Sequence, residues 1–281
     1  MSGEYVYNAL KKRGYKCINI ILNTRDKEEI KEIIQESEID FVFPVLHGEF
    51  GEDGGFQKIL EEMSIPYAGS DSNSSKIAMD KIATHKILEK NGILAPPYEV
   101  AESEKDLEKI EWTPAVVKPA NGGSSLGVTI AKEKYQLIKA FRLAKEITDK
   151  VIVEKFIEGR EVTVGIFDGK ALPIIEVTPK EEFYDYYAKY DNDETEFVCP
   201  AKLPEDVYEL IQAIALEVFK ALGCRHFGRV DFRLDKNNQP YVLELNTIPG
   251  FTSHSLLPQS AKAAGYEFED LCEKILQIAN K

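Results

Sequence analysis

Between Gly228 and Gly250 the chain reads GRVDFRLDKNNQPYVLELNTIPG, and no other stretch limits the fold as strongly. Val230, Phe232 and Leu234 alternate with Arg229, Asp231 and Arg233; after a turn at Asp235 to Pro240, Leu243 and Leu245 alternate with Glu244 and Asn246. Period-two alternation on both sides of a turn predicts an antiparallel hairpin with one apolar and one charged face. With Leu234 set opposite Tyr241, the register places Asp231 opposite Glu244 and Arg229 opposite Asn246.

Two carboxylates, a carboxamide and a guanidinium then share one face. Facing carboxylates repel unless a positive charge lies between them, and carboxylate and amide oxygens are the hard ligands that magnesium takes, usually together with phosphate. The other reading of the same residues is a solvated sheet face laced with Arg–Asp pairs.

Charge bears on what such a face meets. The net charge is −13 over 281 residues, with no Lys/Arg run to reverse it locally, which argues against a nucleic-acid surface. Anionic ligands therefore need individually placed cations. No apolar run approaches the about 18 residues of a membrane span, and Glu4, Lys11, Lys12 and Arg13 stand where a signal peptide is apolar, so a cytoplasmic protein is expected. Cys17, Cys199, Cys224 and Cys272 show no CxxC spacing and read as reduced thiols.

Upstream, residues 4–13 read as a helix closed by Gly14, Cys17 to Leu22 as an apolar strand, and Lys27 to Ser37 as a second helix. The run FVFPVLHG reads as another strand, entering the acidic glycine loop HGEFGEDGG and a short helix through Phe56, Ile59, Leu60 and Met63. That alternation predicts a small parallel α/β domain, ending in the polar segment YAGSDSNSS. His47 falls beyond the carboxyl end of its strand, where ligands of such sheets sit, although a single histidine is as readily structural.

A helix is expected from Ser74 to Lys90. Lys118 closes the strand AVVK ahead of PANGGSSLG, a glycine-rich loop that either approaches a phosphate with its amides or is a plain turn. After a helix at 133–148, the strand VIVEKFIEG is interrupted by Glu154-Lys155, and VTVGIF-DG-KALPIIEV reads as a hairpin on Asp168-Gly169. The segment EEFYDYYAKYDNDETEF reads as a lid, being aromatic and charged together. A long amphipathic helix from Pro204 to Leu222 and a terminal one at 267–279 complete the chain.

Seven ordered motifs, HGxxGEDG, MDK, KPxxxGSSxG, EKFIxGxExTV, FYDYxAKY, GRVDF and ExNTxPG, make the chain resemble the D-alanine–D-alanine ligases of the ATP-grasp superfamily. The resemblance implies an α/β protein with α+β elements in three domains, at residues 1–72, 73–153 and 154–281, with ATP gripped between two antiparallel sheets. One D-alanine carboxylate takes the γ-phosphoryl group of ATP, and the amine of a second D-alanine displaces phosphate to give the dipeptide used in peptidoglycan. A homodimer is implied as well.

Carried over by position, Asp231, Glu244 and Asn246 match ligands of two magnesium ions, for which manganese can substitute. Lys81 and Lys118 match lysines on the ATP phosphates, and Lys189 matches a third that comes from the lid. Glu154, Lys155 and Ile157 match the adenine connection, Phe183 a residue against the adenine ring, and Glu161 the ribose partner. Arg229 and the amide of Gly250 match groups on the reaction's oxyanion. Ser255 and Leu256 match the clamp on the second carboxylate, His47 a residue near the first substrate, and Ser124 with Tyr190 a pair that positions lid and substrate. The Lys189-Tyr190 pair is the form that the resemblance associates with D-alanine as second substrate.

The resemblance also implies a first strand and a turn of the form GGxSxEREVSLxSG, whose glutamate holds the first D-alanine's ammonium. Met1-Ser2-Gly3 matches only the end of that pattern, so a first domain lacking one strand and one carboxylate is expected. Two further readings follow: an ATP-binding protein with little or no ligase activity, and a ligase whose acceptor is D-serine or D-lactate.

Overall fold

A computed structural model describes residues 2–123, 126–178 and 195–281. The hairpin that anchors the sequence is present. Strand β9 (Phe227–Leu234) pairs antiparallel with β10 (Pro240–Asn246), and Asp231 faces Glu244 while Arg229 faces Asn246. The expected starting pair is corrected, because Leu234 lies opposite Pro240 rather than Tyr241. A bulge between Val242 and Glu244 absorbs the one-residue difference and frees Leu243 from strict alternation.

Both strands belong to a six-stranded antiparallel sheet, ordered β10-β9-β5-β7-β8, with β6 paired to β5. Its other members are β5 (Arg160–Phe167), β6 (Lys170–Ala171), β7 (Ile175–Thr178) and β8 (Glu196–Val198). Asp168 and Gly169 take φ of 50° and 70°, the mirror-image turn that matches strand twist in a two-residue hairpin. The long helix (Glu205–Ala221) lays Ile211, Ala215 and Val218 on Val162, Val164, Val230 and Phe232, forming the main core.

A second, four-stranded sheet has the order β1-β4-β2-β3. It comprises β1 (Tyr98–Ala101), β2 (Ala115–Pro119), β3 (Thr129–Ala131) and β4 (Val151–Lys155). The helix Leu137–Lys145 buries Leu137, Ala140, Phe141 and Ala144 against one of its faces. The opposite face looks toward the first sheet.

The single helix expected over Ser74–Lys90 is two, Ser72–Met79 and Lys81–Lys90, broken at Asp80. Asp80 ends the first with extended backbone and caps the second, its carboxylate accepting from the amides of Ile82 and Ala83. Helical periodicity runs through such a break undisturbed, so only the capping residue could reveal it.

At the amino end, helices Ser2–Lys12, Lys27–Glu36 and Gly55–Glu62 form where periodicity places them. The first packs Val6, Ala9 and Leu10 against Leu271, Cys272 and Ile275, the last three on the final helix Phe268–Ala279. The strands expected at Cys17–Leu22 and along FVFPVLHG form no ladder; the one pairing there among the described residues is a parallel bridge between Val42 and Tyr67. A strand needs a hydrogen-bonded neighbour in register, which apolar composition does not supply. Phe43 and Val45 accordingly pack against the core by side chains alone.

Candidate active site

The charged face of the hairpin is held together by short contacts. Arg229 donates from Nε to Asp231 Oδ1 and from Nη2 to Oδ2, both at 2.8 Å, and the Thr163 hydroxyl on β5 also donates to Oδ1. Asn246 Oδ1 accepts from the Ile248 amide at 3.0 Å, which turns the chain just past β10. Asp231, although paired, is only 8% exposed.

Two lysines approach this face, one from the other sheet and one from the helix break. The kink at Asp80 puts Lys81 in the first turn of its helix, where its amide donates to Ala120 O at 2.9 Å and its Nζ to Gly122 O at 2.6 Å. Lys118 on β2 contacts Glu154 Oε2 on β4 at 2.7 Å, and His85 Nε2 lies 2.9 Å from Oε1 of the same carboxylate. The His85 ring lies against Tyr98, with centroids 4.2 Å apart and planes tilted by 36°. Burial on its own pushes the Glu154 carboxyl up, but the Lys118 charge and the His85 hydrogen bond outweigh it and hold the group below its ordinary value.

Between the sheets lies a slot walled by Val116, Val128, Phe156, Ile157 and Leu243, with Lys81, Lys118, Glu161, Asp231, Arg233 and Glu244 along it. Leu243 reaches the slot because of the bulge. Such an apolar cleft ending in fixed cations suits a flat heterocycle joined to phosphates. The segment joining β4 to β5 is pinned by its amides, Lys155 N to Pro97 O at 2.8 Å and Phe156 N to Pro114 O at 3.0 Å.

A wider chamber of about 580 Å³ adjoins the slot and is lined by Ser2, His47, Glu52, Arg229, Asn246, Gly250, Thr252, Ser255 and Leu256. Lys81, Gly122, Gly123 and Glu244 line both spaces and so mark the seam. His47 Nδ1 is 3.5 Å from Glu52 Oε1, and its Nε2 is 3.0 Å from the Ser2 hydroxyl. Ser255 Oγ accepts from the Thr252 amide at 3.0 Å and lies where a side chain on Gly250 would collide, at 2.9 Å from the Cβ position. Position 250 therefore brings a backbone amide close to the chamber with no side chain to cover it.

Of the residues singled out from the sequence, Lys81, Lys118, Glu154, Lys155, Ile157, Glu161, Asp231 and Glu244 line the slot. His47, Arg229, Asn246, Gly250, Ser255 and Leu256 line the chamber. Ser124, Phe183, Lys189 and Tyr190 lie outside the described residues, as does most of the expected lid. Glu52, His85, Thr163 and Arg233 were not singled out. Glu52 carried a signal in its acidic glycine loop beside His47, and Arg233 in its place on the charged face; His85 and Thr163 had none, since one sits in a helical pattern and the other in a strand. No three His, Cys, Asp or Glu side chains converge on a common point among the described residues, so a cation at the Asp231–Glu244 pair needs oxygens from Asn246 and from a ligand.

Comparison with known proteins bears on the same regions. A family model described as D-ala D-ala ligase N-terminus matches residues 22–70, and one described as D-ala D-ala ligase C-terminus matches residues 82–277. A D-alanine--D-alanine ligase of Methylacidiphilum infernorum is 43% identical over 279 residues, covering 99% of this chain and 89% of that protein. The D-alanine--D-alanine ligase of Bacillus anthracis complexed with ATP superposes with a TM-score of 0.86 at 36% identity, over 100% of this chain and 91% of that one. The VanG D-Ala:D-Ser ligase of Enterococcus faecalis gives 0.79 at 36% identity, over 86% and 73%. No helix among the described residues is long and apolar enough to cross a membrane.

Proposed function

The chain belongs to the D-alanine–D-alanine ligase family, and from that premise we propose that slot and chamber carry the two halves of one reaction and meet at Asp231 and Glu244. The enzyme uses ATP to join two D-alanines into D-alanyl-D-alanine, the dipeptide of peptidoglycan precursors, by way of an acyl phosphate. In this reading the adenine lies in the slot beside Lys155 and Ile157, and Glu161 takes the ribose hydroxyls. The phosphates run toward the seam, where Lys81 and Lys118 are held in place for them.

A carboxylate oxygen of the first D-alanine attacks the γ-phosphorus, and ADP leaves. The amine of the second D-alanine then attacks the acyl carbon. Charge develops on the acyl oxygen, and Arg229 with the Gly250 amide stabilises it before phosphate departs with the original carboxylate oxygen. Ser255 and Leu256 hold the second carboxylate, and His47 with Glu52 faces the first substrate. Ser124, Phe183, Lys189 and Tyr190 belong to the same reading through the motifs they stand in, Phe183 and Lys189 for ATP and Ser124 with Tyr190 for the substrate.

Asp231, Glu244 and Asn246, beside the seam, are residues that fit magnesium. Asp231 and Glu244 face each other across the ladder, and Asn246 lies two residues further along the same strand. Asp231 would bring its charge, already oriented by Arg229 and Thr163, and Asn246 Oδ1 keeps a second lone pair beside its contact with the Ile248 amide. Magnesium, or manganese in its place, supplies positive charge to the β- and γ-phosphates when bound, and two ions suit this donor set. D-alanine as the second substrate, a homodimer and a cytoplasmic setting belong to the same proposal.

The observation that carries it is the Asp231–Glu244 pair with Arg229 where the slot and the chamber adjoin, Asp231 lining the one and Arg229 the other. The test is to incubate the chain with ATP, magnesium and D-alanine and to measure ADP and dipeptide, with D-serine and D-lactate as competitors. One D-alanyl-D-alanine per ADP is expected. ADP without dipeptide would replace a ligase by a nucleotide-hydrolysing protein, and a mixed product would move the acceptor.

A further inference from the structure

Arg233 stands on the same face of β9 as Asp231 and Arg229, one step further from the seam, opposite Glu161 on β5. Its guanidinium makes three different contacts. Nη1 lies 3.2 Å from Glu161 Oε2, Nε donates to Ile157 O at 3.2 Å, and the plane sits 5.3 Å from the centre of the Phe156 ring. Both charged side chains are largely covered, at 11% and 13% exposure.

A plain cross-strand ion pair would need only the first contact. The other two join Glu161 to the main chain and ring of the β4–β5 segment, the same segment that walls the slot. A carboxylate that accepts from two adjacent hydroxyls must stay ionised and keep its plane fixed. A planar guanidinium held at Nε by the Ile157 carbonyl and over the Phe156 ring presents Nη1 to Oε2 from a fixed place, where a flexible ammonium supplies charge without that anchoring.

We infer that Arg233 is a positioning residue for nucleotide selection: it sets Glu161 against the ribose and ties that contact to the segment under the base, so that ribose is distinguished from deoxyribose. This rests on the reading that the slot holds ATP.

The test compares ATP with deoxyATP as cosubstrate in dipeptide synthesis, for the wild type, Arg233→Met and Arg233→Lys. The wild type is expected to favour ATP by about thirtyfold in kcat/KM, the scale of a lost hydroxyl contact in a partly open site. Arg233→Met should narrow the preference to about threefold through the nucleotide KM, with kcat and the D-alanine KM within about twofold. Arg233→Lys should fall between, because the charge remains and the anchoring does not. Partial misfolding lowers both nucleotides alike and leaves their ratio unmoved. An Arg233→Met enzyme with the wild-type ratio would overturn the inference. So would a wild type that makes dipeptide yet ignores the sugar, which would leave the ligase reading standing. No ATP-dependent dipeptide at all would remove both.

Discussion

The slot and the chamber share Lys81, Gly122, Gly123 and Glu244, yet their polar groups are held by different means. Along the slot, charged groups are buried and fixed on strands and a capped helix, Lys118 against Glu154 and Lys81 against the Gly122 carbonyl: Lys81, Lys118 and Glu154 are 8%, 7% and 1% exposed. Around the far wall of the chamber, Ser255 and His47 lie outside the strands and are held mainly through hydroxyls, Ser255 by the amide and hydroxyl of Thr252 and His47 by Ser2, with Glu52 3.5 Å away. Phosphoryl transfer needs fixed charge before the reaction begins, since a preorganised dipole does not reorganise as the transition state forms. A small zwitterion can be sorted by fewer, softer contacts.

If that contrast holds, variants should separate cleanly by region. The largest effect is expected at the seam. Asp231→Asn keeps an acceptor for Arg229 but loses the charge, and should lower kcat about 10³-fold with the D-alanine KM little changed. Steady-state rates of ADP release measure it; a variant that retains near wild-type turnover would break the assignment of the hairpin to catalysis.

Within the slot, Glu154→Leu leaves Lys118 buried beside no counter-charge and should cost about 3–5 kcal/mol of stability, read by urea unfolding. Acid sharpens the same point. The folded Glu154 carboxyl sits below its ordinary value, so its contribution is fully present above the unfolded pKa of about 4.3 and is lost as the pH falls through the folded one. Between about pH 6 and pH 3, the melting temperature of the wild type should therefore drop further than that of Glu154→Gln. Parallel curves would mean that the buried pair is not an ionic clasp.

The mildest effect belongs to the chamber. Ser255→Ala removes one neutral contact and should raise the KM for D-alanine about tenfold, with the ATP KM within about twofold. An equal rise in both would show that the two spaces are not separately built.

The same division runs through what the sequence made legible. Alternation places Asp231 opposite Glu244, as observed, although Leu234 pairs with Pro240 rather than Tyr241. A bulge at Leu243 compensates, and a bulge leaves no trace in a pattern of apolar and charged residues. The break at Asp80, which aims Lys81, was hidden because helical spacing continues across it. His85 and Thr163 act through distant neighbours, His85 on Glu154 and Thr163 on Asp231, which no local spacing encodes. The ladderless segments at 17–22 and 41–48 show the converse: apolar composition there implies strands, yet no ladder forms, and Ile18 and Ile21 are exposed.

The central claim is that a D-alanine carboxylate is activated by phosphoryl transfer at the junction of slot and chamber. Following the oxygens tests it most directly, by supplying D-alanine with a heavy-oxygen-labelled carboxylate together with ATP and magnesium and analysing the released phosphate by mass spectrometry. The account predicts one labelled oxygen in each phosphate, in step with each dipeptide formed. Phosphate released without label would mean that water, not the amino acid, attacks ATP, and would contradict it.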